Sequence, residues 1–525
     1  MIPMNRFRHL RDEQGFAMLV VMVLMLVGGA FVAAALASAD NDQDSSRHAQ
    51  DRKAAYAAAE AGIEYYKFHL ADDNDYWTNC TNVPAPSALN DEWNPAASAT
   101  DTRTRWRTVP GTSAEYAVEL LPASGTRCDP TSTVTAQTSM LDGAGMFRIR
   151  STGRANGVKR SIVATFRRPS FLDYIYFTDF EVLDPWVGND SSACEAYRPA
   201  RAGKGCTEIS FGGGDKILGP LHTNDSVSVA SAVTFGKNAS DPIEIALDKP
   251  QTINGSASSV TWVGTLRSPW DKLPVPSSNS ELATVASKSG GLTLTGLNTV
   301  RLDAATDTIK VWKGMRPDQT VDKNPTNTYG WPSKGVLYNK GGTGGCSGTD
   351  KPSVADYFND GVGCAQIFLS GTYDRPLTIG SAADIIVAPS SWKEGDPSKS
   401  TSADLTNTGD AVLGLIADGF VRVWHPVTGC SNRQPEQTNV TIHAAILGLH
   451  SFIVDNWGCG QLGTLNVHGA IAQKFRGPVA TSGGTGYIKN YTYDTRLKYR
   501  NPPFFLTPVD VAWKVVTQRE QVPAT

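Results

Sequence analysis

The chain has no excess of positive charge: 48 Lys and Arg against 51 Asp and Glu leave a formal net charge of -3. Without surplus cations to neutralise phosphates, a nucleic-acid partner is not expected. Charged side chains of either sign are few, 19% of residues, whereas Gly, Ser, Thr and Asn are abundant downstream. That balance is typical of turn-rich β domains outside the cytoplasm. None of the eight cysteines forms a Cys-x-x-Cys pair and no histidines stand at finger spacing, which leaves a zinc site unsupported. Gly-x-Ser-x-Gly, His-Glu-x-x-His, a Walker loop and a dinucleotide fingerprint are also missing. The run Gly341-Gly342-Thr343-Gly344 lacks the Lys and helix that a phosphate loop needs. No cofactor is expected. Long apolar runs are absent too, with a single exception near the N-terminus.

That exception runs from Phe16 to Ala37. Its roughly 22 residues, at about 1.5 Å each, are enough to cross a hydrocarbon core of about 30 Å. The preceding segment carries Arg6, Arg8, His9 and Arg11, a basic flank that stays cytoplasmic under the positive-inside rule. Ala35-Leu36-Ala37 can be read as a signal-peptide cleavage site. Against that, the polar residues beyond it continue as helix. From about Ser45 to Leu70, residues Tyr56, Ala59, Ile63, Tyr66 and Leu70 recur at spacings of three and four, with Arg52, Lys53, Glu60, Glu64 and Lys67 elsewhere around the axis. The two segments read as one long helix, able to bend or melt at Gly28-Gly29 and between Asp40 and Ser46. Asp40-Asn41-Asp42-Gln43-Asp44 opens like a calcium loop, but Ser45 and Asp51 stand where an EF-hand has Gly and Glu. A solvated segment is expected there, and no metal.

A short basic leader ending in Gly15, an apolar helix behind it, and Ala58-Ala59-Glu60-Ala61-Gly62 in an amphipathic continuation resemble the N-terminus of type IV pilin-like proteins, most closely the PilX-type minor pilins. The resemblance covers roughly residues 5 to 70. It implies that prepilin peptidase cuts between Gly15 and Phe16, that Phe16 is then methylated, and that the helix joins other pilins in a filament through an assembly platform and a cytoplasmic ATPase. It further implies a single-pass inner-membrane precursor and an extracellular or cell-surface product. Major pilins carry Glu at the fifth mature position, which here is Val20. A buried carboxylate needs a partner and Val needs none. PilX-type minor pilins and the tip pseudopilin of type II secretion also tend to lack that Glu, so its absence favours a minor, tip or priming subunit.

Beyond the helix, Tyr116 to Leu121, Met146 to Thr152 and Val158 to Phe166 alternate as strands, with Asn156-Gly157 as a hairpin turn. Phe171 to Phe177 reads as an aromatic joint between domains. From about Cys194 the texture changes to Gly-rich turns between short β-branched runs. Leu415–Val423, Ala445–Val454 and Ala470–Val479 align with one another, and Leu221–Val229 fits the frame of the first. Spacings of about 25 to 30 residues between the later copies suggest rungs of a parallel β-helix, with a β-sandwich as the alternative. The expected fold class is therefore α+β, mainly β: leader 1–15, pilin-like helix 16–70, small antiparallel sheet head 71–190, and a β-helical domain 191–525 closed by an aromatic cap of Asn490–Asp494, Tyr499 and Pro502–Phe505 and a short element from Val509 to Gln518.

An even cysteine count past an export signal fits disulfides in an oxidising compartment. Neighbour pairing would join Cys80 to Cys128, Cys194 to Cys206, Cys346 to Cys364 and Cys430 to Cys459, with free buried thiols as the alternative. Asp418, Asp455, His425, His443, His450 and His468 are the candidates for chemistry, and His443, His450 and His468 would approach one another if the rungs stack. Histidines beside strands are more often hydrogen-bonded wall residues. Trp270, Trp312, Trp331, Trp392, Trp424 and Trp457 suit a domain core better than a sugar platform. The reading is a non-enzymatic filament subunit whose large head binds a surface glycan or protein. Its rivals are a membrane-tethered carbohydrate-active enzyme and a type II secretion pseudopilin.

Overall fold

The computed structural model describes residues 13–72, 76–78, 106–121, 146–188, 190–247, 259–342, 365–393, 396–425, 439–481, 483–498, 500–509 and 511–523. Strand exceeds helix, 39% to 20%, which makes the chain mainly β. Two compact units result: one from Met1–Leu141, Phe147–Phe166 and Val515–Thr525, the other from Asp142–Met146 and Arg167–Lys514.

The first unit is built on helix α1 (Glu13–Asp72). Its 60 residues extend for about 90 Å at the usual rise. The backbone stays helical through Gly28-Gly29 and through Asp40–Ser46, the two places at which the long helix was read as able to bend or melt. The side chains of Asp40, Asn41, Asp42 and Asp44 lie outside the described residues. In the second half Ala55, Ala58, Ala59, Ile63, Tyr66 and Leu70 are buried, while Tyr56 is 36% exposed. The buried stripe therefore turns about one residue away from Tyr56, toward the small residues. Gly153 shows why. A Cβ there would sit 2.0 Å from Ala55 O and 2.5 Å from Ala59 N, so sheet and helix backbones touch where only Ala and Gly fit.

That sheet contains β1 (Arg107–Thr108), β2 (Glu115–Leu121), β3 (Met146–Ala155) and β4 (Val158–Arg167), followed in order by the strand Lys514–Gln521. The small sheet is antiparallel. Asn156 and Gly157 join β3 to β4 with φ of 45° and 83°, the positive pair that a type I′ hairpin requires. Phe147 and Phe166 stack at 5.0 Å beneath Tyr66, closing the core. The Lys514–Gln521 strand is the notable member, because nearly all of the second unit lies in sequence between it and β4. The closing element expected at 509–518 is thus part of the small sheet, and the sequence boundary at 190/191 does not match the division observed.

In the second unit, short parallel strands stack with their apolar residues in register. One ladder runs Leu292, Leu337, Ile379, Leu415, Ile446, Ile471. It then continues through residues earlier in sequence: Tyr176, Leu221, Ile243, Leu266. A second ladder passes through Ile442, Val467, Tyr491, Ile217, Phe235 and Trp262. A third joins Ile367, Ile385, Val421 and Phe452. The chain therefore enters the stack in its middle at Tyr176–Phe180, winds to the Thr265–Arg267 end, restarts at Leu292, and winds back until Gln461–Phe475 pairs with Tyr176–Phe180. Phe171–Phe177 opens the stack and belongs to the core of the second unit. Tyr491 is likewise a middle rung, which corrects the aromatic cap expected there. The helix Ser280–Ser287 packs Leu282 and Ala286 into the same core.

Candidate functional site

The assembly segment comes first. Within α1, Met18–Ala35 has a mean hydropathy of 2.6 and no buried residue, long and apolar enough to cross a membrane. Val20 is 41% exposed there. Gly15 and Phe16 belong to the helical backbone, while residues 1–12 of the basic leader lie outside the described residues. A water-exposed apolar face of this extent carries a large hydrophobic penalty until lipid or other helices cover it.

The candidates for chemistry fall into separate places. His443 and His468 are register partners on adjacent strands, their rings 5.4 Å apart. The backbone N–H of Asn407 donates to His443 Nδ1 at 3.3 Å, which leaves the proton of the neutral ring on Nε2. That tautomer opposes metal binding through Nε2. Burial, His468 and Arg496 together push the His443 pKa down. His468 Nε2 lies 3.8 Å from Asp494, a carboxylate already held by Arg496. His450 does not join this pair; its Nδ1 meets Asp184 at 2.6 Å. Asp418 accepts the Asn279 N–H at 2.8 Å, an anchor for the start of the helix Ser280–Ser287.

Asp455 and His425 belong to a third, buried group. Arg422, itself inaccessible, lies between Asp384 at 3.0 Å and Asp455 at 3.2 Å. Burial pushes the Asp455 carboxyl up to about 6 despite the pull of Arg422. His425 Nδ1–H donates to the Asp455 carbonyl, and burial lowers its pKa. Among the described residues no group of three or more His, Cys, Asp or Glu is placed to hold a metal ion.

Cys194 and Cys206 are bonded, with Cα atoms 5.5 Å apart, and Cys459 is disulfide-bonded as well. Cys80, Cys128, Cys346, Cys364 and Cys430 lie outside the described residues. Trp312, Trp392 and Trp424 are buried, whereas Trp270 is 39% exposed. Sequence reasoning missed the buried charges Arg201, Glu181 and Arg476, which sit near the pairing of Tyr176–Phe180 with Gln461–Phe475. Their signal was weak, because single Arg and Glu residues among turns look like surface.

No protein-family model matches the sequence, and no curated protein is significantly similar to it. Among solved structures, the chain is similar to the competence-associated pilin ComZ from Thermus thermophilus, at 13% identity over 90% of this chain and 97% of that one. The TM-score is 0.27, too low for a function to be taken from it.

Proposed function

We propose that this chain is a minor, PilX-like subunit of a type IV pilus or related filament. The observation that carries the reading is the single helix α1, exposed and apolar over Met18–Ala35 and packed by its second half into a small antiparallel sheet. Such a helix anchors a precursor in the inner membrane and, after prepilin peptidase cuts between Gly15 and Phe16, buries the same face among other pilins. Val20 needs no ionic partner there, which suits a tip or priming position. The second unit we read as a parallel β-helix, supported by its three in-register apolar ladders, and as the extracellular part that contacts a surface glycan or protein.

Its role is assembly and not catalysis. Asp418 and His450, on which a glycan-cleaving rival would depend, are supported as structural groups by their contacts with Asn279 and Asp184. The test is Gly15→Ala in the full chain. Incorporation into sheared filaments should be abolished and the protein retained in the membrane fraction; filament incorporation at the normal level would sink the reading.

A further inference from the structure

Where the closing coil meets the opening coil, the second unit has a partly open cavity of about 40 Å³. At about 10–15 Å³ of such space per water, it has room for about three or four waters or one small ion. Its wall is half apolar, from Tyr176, Phe211, Ile217 and Ile471, and half polar, from Arg476, Lys489, Tyr491 and Gln473.

The polar half consists of donors with capacity to spare. Tyr491 is 4% exposed and its hydroxyl has no hydrogen-bond partner. Lys489 points inward from the same strand, and its Nζ meets one carboxylate oxygen, Asp215 Oδ2, at 3.1 Å. Arg476 uses Nη1 for Glu181 at 3.0 Å and for the Ile209 carbonyl at 3.2 Å, with its guanidinium 3.5 Å over the Phe211 ring. Gln473 spends its amide oxygen on the N–H groups of Phe452 and Gly477, which turns its NH2 away from them.

The acceptors beside them already hold donors, Asp215 through Oδ2 alone. Glu181 takes Tyr176, Thr178 and Arg476, while Asp215 takes Lys489 and the Gly212 N–H. A buried donor left without an acceptor costs stability, and two cations facing one space repel each other. Burial lowers the Lys489 pKa, and the charge of Arg476 adds to that.

We infer that this cavity binds one small monovalent anion, of the size of chloride, bromide or formate, held by Lys489, Arg476 and the Tyr491 hydroxyl.

The experiment uses the full chain in detergent, titrated with sodium bromide or sodium formate against sodium sulfate at constant ionic strength. Bromide and formate should raise the melting temperature with the logarithm of concentration above Kd, by about 2–4 °C at ten times Kd. Tyr491→Phe, which removes only the hydroxyl, should weaken that effect about tenfold without lowering the anion-free melting temperature, and Lys489→Met should abolish it. Bromide-soaked crystals should show anomalous density beside Lys489 Nζ and Tyr491 Oη. Equal titrations in wild type and both variants, or a cavity holding water alone in bromide, would overturn the inference.

Discussion

Asp455 is a carboxylate whose ionised form the fold tolerates badly. Its pKa of about 6 in the folded chain lies above the unfolded value of about 3.9. The folded state therefore binds the proton more tightly, and this group favours folding progressively more as pH falls from above 6 toward 4. At most about 3 kcal/mol is involved, with Arg422 and Asp384 setting the field around it. On going from pH 7 to pH 4.5, the denaturation midpoint of wild type should rise more, or fall less, than that of Asp455→Asn. An unchanged difference would mean that Asp455 titrates normally. At this scale little was legible beforehand. The pairing of Cys194 with Cys206 followed from proximity in sequence, but the partners of His443 and His450 depend on which strands adjoin, and the chain order does not state that.

The long helix was the most legible element, because twenty-odd apolar residues in a row need no tertiary context to be noticed. Its contact face was less so. Of the stripe read from periodicity, Ala59, Ile63, Tyr66 and Leu70 are buried but Tyr56 is not, and Ala55 and Ala58 take its place, since close approach to Gly153 rewards small volume over hydrophobicity. Gly153→Val should cost about 3 kcal/mol or more by driving atoms into the α1 backbone. Ala57→Val, on the exposed side of the same turn, should cost about 0.6 kcal/mol from propensity alone. Similar urea midpoints for the two variants would show that helix and sheet are not in contact at Gly153. Strands β2, β3 and β4 could be read from alternation and from Asn156-Gly157. In the second unit Leu221 was correctly set in the frame of Leu415, since both occupy one ladder, whereas Tyr176–Phe180 was missed because an all-buried strand shows no alternation.

For the molecule as a whole, the insertion of nearly all of the second unit between β4 and Lys514–Gln521 was not visible in the sequence. The returning strand is exposed along most of its length, so it carries no apolar pattern to betray its partner. Deleting residues 515–525 should raise amide hydrogen exchange in β4 by about tenfold or more while leaving the Val440–Gly448 strand, deep in the other unit, unchanged. Equal protection of β4 with and without the strand would remove it from the sheet.

The central claim is that α1 is an assembly helix released by cleavage before its apolar face, which distinguishes it from a permanent tether or a discarded signal. Intact-mass and N-terminal peptide mass spectrometry on the protein from cells tests it most directly. Assembly predicts a mature chain beginning at Phe16 with a methylated amine, and an unprocessed chain in Gly15→Ala. A native chain beginning at Met1, or cut after Ala37, would contradict it.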